Sequence, residues 1–175
     1  MNKAFFIDKD GTLVDNSMYP DSLPKDDILE NDVIGGLKAI KNKGYKIFII
    51  SNQPWIAKGL MTKKEVEKVF YSIVSQFKEI GVVIDGYYYC PHQSSDNCDC
   101  KKPKPGLILR AAKENNIDIS KSYMVGDMEN DVLAGRAAGV KTILVRTGNG
   151  KDFVSVIGDR VDIILNNVNE ISKII

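Results

Sequence analysis

Histidine, tryptophan and cysteine are scarce in this 175-residue chain, which has one His, one Trp and three Cys. A disulfide framework joins cysteines in pairs, so three cysteines argue against a secreted, disulfide-rich domain. No apolar run approaches the roughly 18 residues of a membrane-spanning helix. The apolar stretch near the start is too short for the core of a signal peptide. These absences predict a cytoplasmic protein that is not embedded in a membrane.

The chain also lacks an excess of charge of either sign. Its 24 basic residues nearly balance its 23 acidic residues, which leaves a formal net charge of +1. A general nucleic-acid binder carries a basic footprint that is missing here, so we expect no nucleic-acid partner. Apolar residues make up 43% of the chain and charged residues 27%. This balance predicts one folded domain over residues 1–175 rather than a disordered chain.

Short apolar runs alternate with segments of helical periodicity along most of the sequence. The clearest helix is expected after Thr62, which with Glu65 forms the pattern of a capping box. Alternation of this kind predicts an α/β fold, with a doubly wound, mostly parallel, Rossmann-like sheet. Strands are expected at 4–8, 46–50, 87–89, 122–127 and 141–145, with a possible last strand at 162–165.

Polar residues stand where several of these predicted strands end. Asp8 and Asp10 end the first strand in D-K-D-G-T, Ser51 follows the second, and Asp127 follows the fourth. Taken singly, each is also typical of an ordinary turn or helix cap. The carboxyl ends of parallel strands, however, meet at one edge of the sheet. Carboxylates gathered there repel one another unless a cation lies among them, and oxygen ligands favour magnesium.

A second candidate metal site lies between the third strand and the next predicted helix. All three cysteines and the only histidine fall within 11 residues, as Cys90, His92, Cys98 and Cys100. Three thiolates and one imidazole form a closed tetrahedral zinc site, which would be structural because no ligand position stays open. The alternatives are buried apolar thiols or a disulfide, and the cytoplasmic prediction argues against the disulfide.

Four separated motifs, in this order, carry a family resemblance: D-K-D-G-T, S-N-Q, a loop lysine and G-D-x-x-x-D. They resemble the haloacid dehalogenase-like phosphatases. Longer stretches such as D-G-Y-Y-Y-C-P-H, C-D-C-K-K-P-K-P-G and L-V-R-T-G resemble the branch that acts on heptose bisphosphates and histidinol phosphate. The resemblance covers residues 4–148 and implies one phosphatase domain. The segment 13–32 is too short for a separate cap domain, so we expect a capless, open active site.

The resemblance implies a role for each residue of these motifs. Asp8 would be the nucleophile that forms an aspartyl-phosphate, and Asp10 would protonate the leaving oxygen and later activate water. Ser51 and Lys102 would stabilise the phosphoryl group. Such chemistry depends mainly on positioning and charge neutralisation.

The resemblance also implies ligands for the cofactor and for the substrate. Magnesium would be held by Asp8, by the backbone carbonyl of Asp10 and by Asp127, while Asp131 would lie behind these ligands. Lys101, next to Lys102, would contact the second phosphate of a bisphosphate. The residues expected to contact substrate are Lys9, Asn16, Tyr19, Asn52, Gln53 and Lys101.

The resemblance thus implies a magnesium-dependent phosphatase that acts on a small phosphorylated sugar, and we expect it to be a monomer. The reaction implied is removal of the 7-phosphate of D-glycero-D-manno-heptose 1,7-bisphosphate, with histidinol phosphate as the alternative substrate. Two alternatives of other classes stay open at this stage. One is a receiver-like phosphoacceptor domain without turnover, and the other is a zinc-organised binding module.

Overall fold

The computed structural model describes residues 1–16 and 25–175 of the chain. In this part, six parallel strands form one sheet. They are β1 (Ala4–Ile7), β2 (Lys46–Asn52), β3 (Gly86–Cys90), β4 (Tyr123–Gly126), β5 (Lys141–Val145) and β6 (Ile163–Leu165). Their order across the sheet is β3-β2-β1-β4-β5-β6, so the winding direction reverses between β1 and β4. A reversal of this kind opens a crevice at the carboxyl ends of the two strands.

Helices connect the strands and cover both faces of the sheet. The α-helices are α1 (Glu30–Asn42), α2 (Lys63–Glu79), α3 (Gly106–Glu114), α4 (Glu129–Ala138) and α5 (Gly150–Ile157). Short 3-10 helices occupy Ser94–Asp96, Ile119–Lys121, Gly158–Arg160 and Val168–Lys173. None of the helices in the described ranges is both long enough and apolar enough to cross a membrane.

Alternate residues of each strand point into separate hydrophobic layers. Phe5 and Ile7 of β1 pack with α1, α2 and the C-terminal 3-10 helix. Ala4 and Phe6 point the other way and pack with α3 and α4. A strand buried on both faces requires a continuous apolar run, which explains why β1 reads AFFI.

The fold confirms the predicted α/β class and its parallel, doubly wound sheet. The capping box at Thr62 is present, since Glu65 donates its backbone N–H to the Thr62 hydroxyl and its carboxylate accepts the Thr62 N–H. Helix α4 begins at Glu129, so Asp131 lies in its first turn. Helix α5 was not predicted, since the segment G-K-D-F-V-S-V-I is only 8 residues long and follows a glycine-rich turn.

Candidate active site

Three carboxylates meet in the crevice between β1 and β4. Asp8 directly follows β1, Asp127 directly follows β4, and Asp131 lies in the first turn of α4. All three side chains are buried, and one oxygen from each lies within 4.8 Å of the others. The prediction that Asp8 and Asp127 lie at one edge of the sheet is therefore correct.

Lys102 enters this cluster from the loop between β3 and α3. Its ammonium donates to Asp8 Oδ1 at 2.5 Å, to Asp131 Oδ1 at 2.6 Å and to the Ile50 carbonyl at 2.9 Å. Asp131 Oδ2 accepts the Met128 N–H at 3.0 Å. Both Asp131 oxygens are thus occupied within the protein, and Asp131 serves to hold Lys102 in place. The predicted place of Asp131 behind the metal ligands stays a prediction.

Asp127 keeps one oxygen available. Its Oδ2 accepts the backbone N–H of Asn149 at 2.8 Å, whereas Oδ1 is buried and has no hydrogen-bond partner among residues 1–16 and 25–175. Gly11 and Gly148 close around the carboxylate, since a Cβ on either would lie 2.3 or 2.2 Å from Asp127 Oδ2. Only glycine permits this approach. The unpartnered buried oxygen lies beside the Asp8 carboxylate, and two carboxylate oxygens of this kind are ligands that suit a hard cation.

The charges of the cluster also favour a cation. Three carboxylates surround one ammonium, which leaves two negative charges unbalanced when all four groups are ionised. Burial raises the pKa of Asp8 well above its usual range, and Asp131, Asp127 and Asp10 raise it further although Lys102 lowers it. Burial and the nearby Asp131 raise the pKa of Asp127 to about 7. A divalent cation would balance this excess and favour the ionised carboxylates.

The same surroundings act on the pKa of the Lys102 ammonium. Burial lowers the pKa of its ammonium, but the carboxylates of Asp131 and Asp8 more than offset this effect and raise the pKa overall. Lys102 is therefore a permanent positive charge at the bottom of the crevice. Such a group suits binding of an anionic oxygen.

Asp10 lies at the mouth of the same crevice and is held on both oxygens. The Lys9 ammonium donates to Oδ1, and Gln53 Nε2 donates to Oδ2 at 3.0 Å. Gln53 Nε2 also donates to the Ser51 hydroxyl at 2.9 Å. Ser51, at the end of β2, is thereby connected to Asp10, at the end of β1.

The segment after β2 is also joined to the loop that carries Lys102. The Asn52 side chain pairs with both backbone groups of Lys102, accepting its N–H at 3.0 Å and donating to its carbonyl at 3.1 Å. The Gln53 N–H donates to the Cys90 carbonyl at 2.7 Å. These contacts tie the position of Lys102 to the cysteine-rich loop that precedes it.

That loop brings Cys90, His92, Cys98 and Cys100 together, with ligand atoms within 4.8 Å of one another. His92 Nδ1 lies 3.5 Å from Cys90 Sγ and 3.3 Å from Cys100 Sγ. The three cysteines are free rather than joined by a disulfide. Burial raises the pKa of the Cys98 thiol, but hydrogen bonds from the Lys101 backbone N–H and from the neighbouring thiols lower it overall to about 6. The cluster has the composition of a metal site.

The remaining predicted residues have different surroundings. Asn16 approaches Gly11, since its Nδ2 would lie 2.7 Å from a Cβ at that glycine. Lys101 is partly exposed, and its side chain has no hydrogen bond or ion pair within residues 1–16 and 25–175. Tyr19 lies outside the described residues. Their predicted contacts with substrate stay predictions.

Asn149 is the residue of the site that sequence reasoning missed. It follows β5, and its backbone N–H fixes the Asp127 carboxylate. The signal was present, because T-G-N-G stands at the carboxyl end of a predicted strand, on the edge where Asp8 and Asp127 were expected.

Comparison with known proteins gives the family. A family model described as HAD-hydrolase-like matches residues 99–171. The D-glycero-beta-D-manno-heptose-1,7-bisphosphate 7-phosphatase of Helicobacter pylori is 43% identical over 149 residues, which cover 85% of this chain and 86% of the relative. The enzyme of the same name from Haemophilus ducreyi is 38% identical over 175 aligned positions, covering 95% of this chain and 94% of the relative.

A solved structure shares the fold over nearly the whole chain. It is a D,D-heptose 1,7-bisphosphate phosphatase from B. bronchiseptica, crystallised with magnesium and phosphate. The TM-score is 0.85 at 24% identity, covering 99% of this chain and 97% of that one. Given this shared fold and the sequence identity along most of two curated relatives, the chain belongs to the haloacid dehalogenase-like phosphatases.

Proposed function

We propose that this phosphatase removes the 7-phosphate of D-glycero-D-manno-heptose 1,7-bisphosphate, with magnesium as cofactor and Asp8 as nucleophile. The observation that carries the mechanism is the buried contact of Asp8 with Lys102, next to the unpartnered oxygen of Asp127. The names of the relatives support the substrate and favour it over histidinol phosphate. The cytoplasmic location and the monomeric state inferred from the sequence stay predictions.

In the first half of the proposed reaction, an Asp8 oxygen forms a bond to the phosphorus of the 7-phosphate. The bond from phosphorus to the sugar oxygen breaks, and Asp10 gives its proton to that oxygen. In the second half, Asp10 takes a proton from water as the water oxygen bonds to the phosphorus of the aspartyl-phosphate and the bond from phosphorus to the Asp8 oxygen breaks. The products are the sugar monophosphate and inorganic phosphate, and Asp8 is regenerated.

Lys102 and Ser51 are proposed to bind the oxygens of the transferring phosphoryl group. Lys102 already contacts the nucleophile, so its charge lies where negative charge moves during transfer. Ser51 lies at the adjacent strand end with its hydroxyl held by Gln53. The Asn52 side chain holds the Lys102 backbone, and Gln53 holds the Ser51 hydroxyl. Both groups are therefore held by the protein itself.

Magnesium is proposed to bind Asp8, the backbone carbonyl of Asp10 and the free oxygen of Asp127. When bound, it would neutralise charge on the phosphoryl oxygens, as hard cations do in phosphoryl transfer. Asp131 is not assigned as a ligand, because its two oxygens are used by Lys102 and Met128. In this assignment Asp131 holds Lys102, Asp127 binds the metal, and Asp8 contacts both.

Zinc is proposed to bind the cluster of three cysteines and His92 and to act structurally. Four protein ligands complete a tetrahedral site, so no position is left for substrate. The loop that zinc would order leads directly to Lys101 and Lys102. Lys101, which is free of side-chain partners in the described part of the chain, is proposed to contact the second phosphate.

Substrate preference tests the proposed reaction. We expect a higher kcat/KM for D-glycero-D-manno-heptose 1,7-bisphosphate than for histidinol phosphate, and Lys101→Gln should reduce this preference by raising KM for the bisphosphate. Steady-state kinetics on both substrates check this. A clear preference for histidinol phosphate would reverse the substrate assignment, and absence of turnover on any phosphomonoester would contradict the phosphatase mechanism.

Metal removal should separate the two sites. A brief EDTA treatment is expected to abolish activity, and added magnesium should restore it while zinc stays near one per chain. The reason is that a hard ion held by few carboxylates exchanges readily, whereas thiolate ligation is linked to folding of the loop. Elemental analysis beside the activity assay checks this. Restoration by zinc but not by magnesium would contradict the assignment.

The substitution Cys98→Ser should remove zinc and reduce activity although the carboxylate cluster is intact. Without the metal, the loop would no longer place Lys102, and a displacement of about 1 Å can cost on the order of 10²-fold in rate. Zinc content and kcat/KM of the variant are the measurements. The exposed Ser95→Ala, in the same loop but outside the ligand set, is the matched control. A zinc-free Cys98→Ser protein with normal kcat/KM would show that the loop is not needed for catalysis.

A further inference from the structure

We propose that Lys9 and Gln53 are positioning residues that fix Asp10 for proton transfer to the leaving sugar oxygen. The inference rests on the proposed function, in which Asp10 is the acid. It gives the two side chains a role that differs from the substrate contact expected from sequence. The observation behind it is that each of them contacts one oxygen of the same carboxylate.

The buried Lys9 ammonium is paired with Asp10. Its side chain is 0% exposed, and the Asp10 carboxylate is the acid that its ammonium contacts in the described ranges. The second contact, to the Lys25 carbonyl at 3.4 Å, is long and uncharged. A fully buried ammonium is costly unless it is paired, so Lys9 and Asp10 stabilise each other in this arrangement.

Gln53 holds the other oxygen from the neighbouring strand end. The residue is 0% exposed, and its Nε2 donates to both Asp10 Oδ2 and Ser51 Oγ. Its backbone N–H donates to the Cys90 carbonyl, which holds the Gln53 backbone next to the end of β3. One buried amide thus connects Asp10 to Ser51, which is proposed to bind the phosphoryl group.

Asp10 itself needs such support. Its side chain is 33% exposed, unlike those of Asp8 and Asp131, so packing alone does not restrict its rotamer. The two donors contact different oxygens of the carboxyl group, so together they restrict rotation of the side chain. Loss of either contact would leave Asp10 free to turn toward water and away from the leaving oxygen, and small misplacements of a catalytic group lower rates strongly.

The role predicts a dependence on the leaving group. A sugar alkoxide is a poor leaving group and needs a proton, whereas p-nitrophenolate leaves without one. Because kcat/KM reports the steps up to departure of the leaving group, a selective fall on the sugar phosphate that lies in kcat rather than in KM reports the acid function. A substrate contact would instead raise KM for the sugar phosphate, and a general structural role would lower both rates equally.

The experiment compares D-glycero-D-manno-heptose 1,7-bisphosphate with p-nitrophenyl phosphate in the variants Gln53→Leu and Lys9→Met. We expect kcat/KM to fall about 10- to 100-fold on the sugar phosphate, mainly through kcat, and less than about 3-fold on the aryl phosphate. Lys41→Met is the matched control, since Lys41 pairs with Asp85 at 2.7 Å near the start of β3, on the opposite edge of the sheet. It should leave the ratio unchanged.

Asp10→Asn separates failure of this inference from failure of the proposed function. If Asp10→Asn shows the selective loss on the sugar phosphate and Gln53→Leu does not, the positioning role is wrong while the acid role stands. If Asp10→Asn lowers kcat/KM equally on both substrates, the acid role itself is wrong. A Lys9→Met protein that does not fold leaves Gln53→Leu to decide.

Discussion

Replacing Asp8 by Asn is expected to reduce phosphate release to the background of the assay. The amide has the shape of the carboxylate but cannot form an aspartyl-phosphate, so the first bond of the proposed reaction is lost. The fold should be kept, and the metal-free variant should be at least as stable as the wild type. Asp8 is one of three buried carboxylates around one ammonium, and burial with its acidic neighbours already raises its pKa. Removing one charge relieves that repulsion.

Initial rates of phosphate release and urea unfolding of the metal-free protein check the expected loss of activity and the expected stability of Asp8→Asn. For comparison, Asp10→Asn should lower the rate on the sugar phosphate by about 10²- to 10⁴-fold, as is typical for removal of a general acid. An Asp8→Asn protein that keeps more than a trace of turnover, with contamination excluded, would rule out covalent catalysis by this residue.

Replacing Lys102 by Met is expected to damage both activity and stability. The rate should fall by about 10²- to 10³-fold, because the positive charge next to the transferring phosphoryl group is lost. The metal-free protein should lose about 3–5 kcal/mol, because Asp8 and Asp131 would stay buried without their cation. Magnesium should restore part of the stability and little of the rate.

The matched control is Lys113→Met, an exposed lysine in the last turn of α3 that is not part of the site. It should change neither kcat nor the free energy of unfolding by more than about 0.5 kcal/mol. Lys102→Met with wild-type kcat and wild-type unfolding would mean that the contacts with Asp8 and Asp131 contribute nothing to either property.

Asp8 and Asp127 could be placed from the sequence because a residue that follows a parallel strand lies at the carboxyl edge of the sheet. Asp8 and Asp127 each follow a short apolar run, and parallel pairing of β1 with β4 then brings them together. The cysteine cluster was visible because rare residue types fall within one short segment. In both cases the chemistry depends on residue type and position along the chain, which the sequence records directly.

Contacts between side chains from different elements could not be predicted in the same way. That Gln53 donates to Asp10 depends on the spacing and orientation of neighbouring strands. That Asn149 fixes Asp127 depends on a loop closing over β4, with Gly11 and Gly148 leaving room for the carboxylate. Helix α5 depends on packing of its Ile157 with residues of α4 and β5, because its own sequence is short.

The most direct test of the account is to find the phosphoryl group on Asp8. Rapid quenching of the enzyme during turnover of D-glycero-D-manno-heptose 1,7-bisphosphate labelled in the 7-phosphate, followed by peptide mass spectrometry, locates the label. We predict that label appears on Asp8 within one turnover, disappears as inorganic phosphate forms, and is absent in Asp8→Asn. Label on another residue, or release of labelled phosphate by Asp8→Asn at the wild-type rate, would contradict the mechanism.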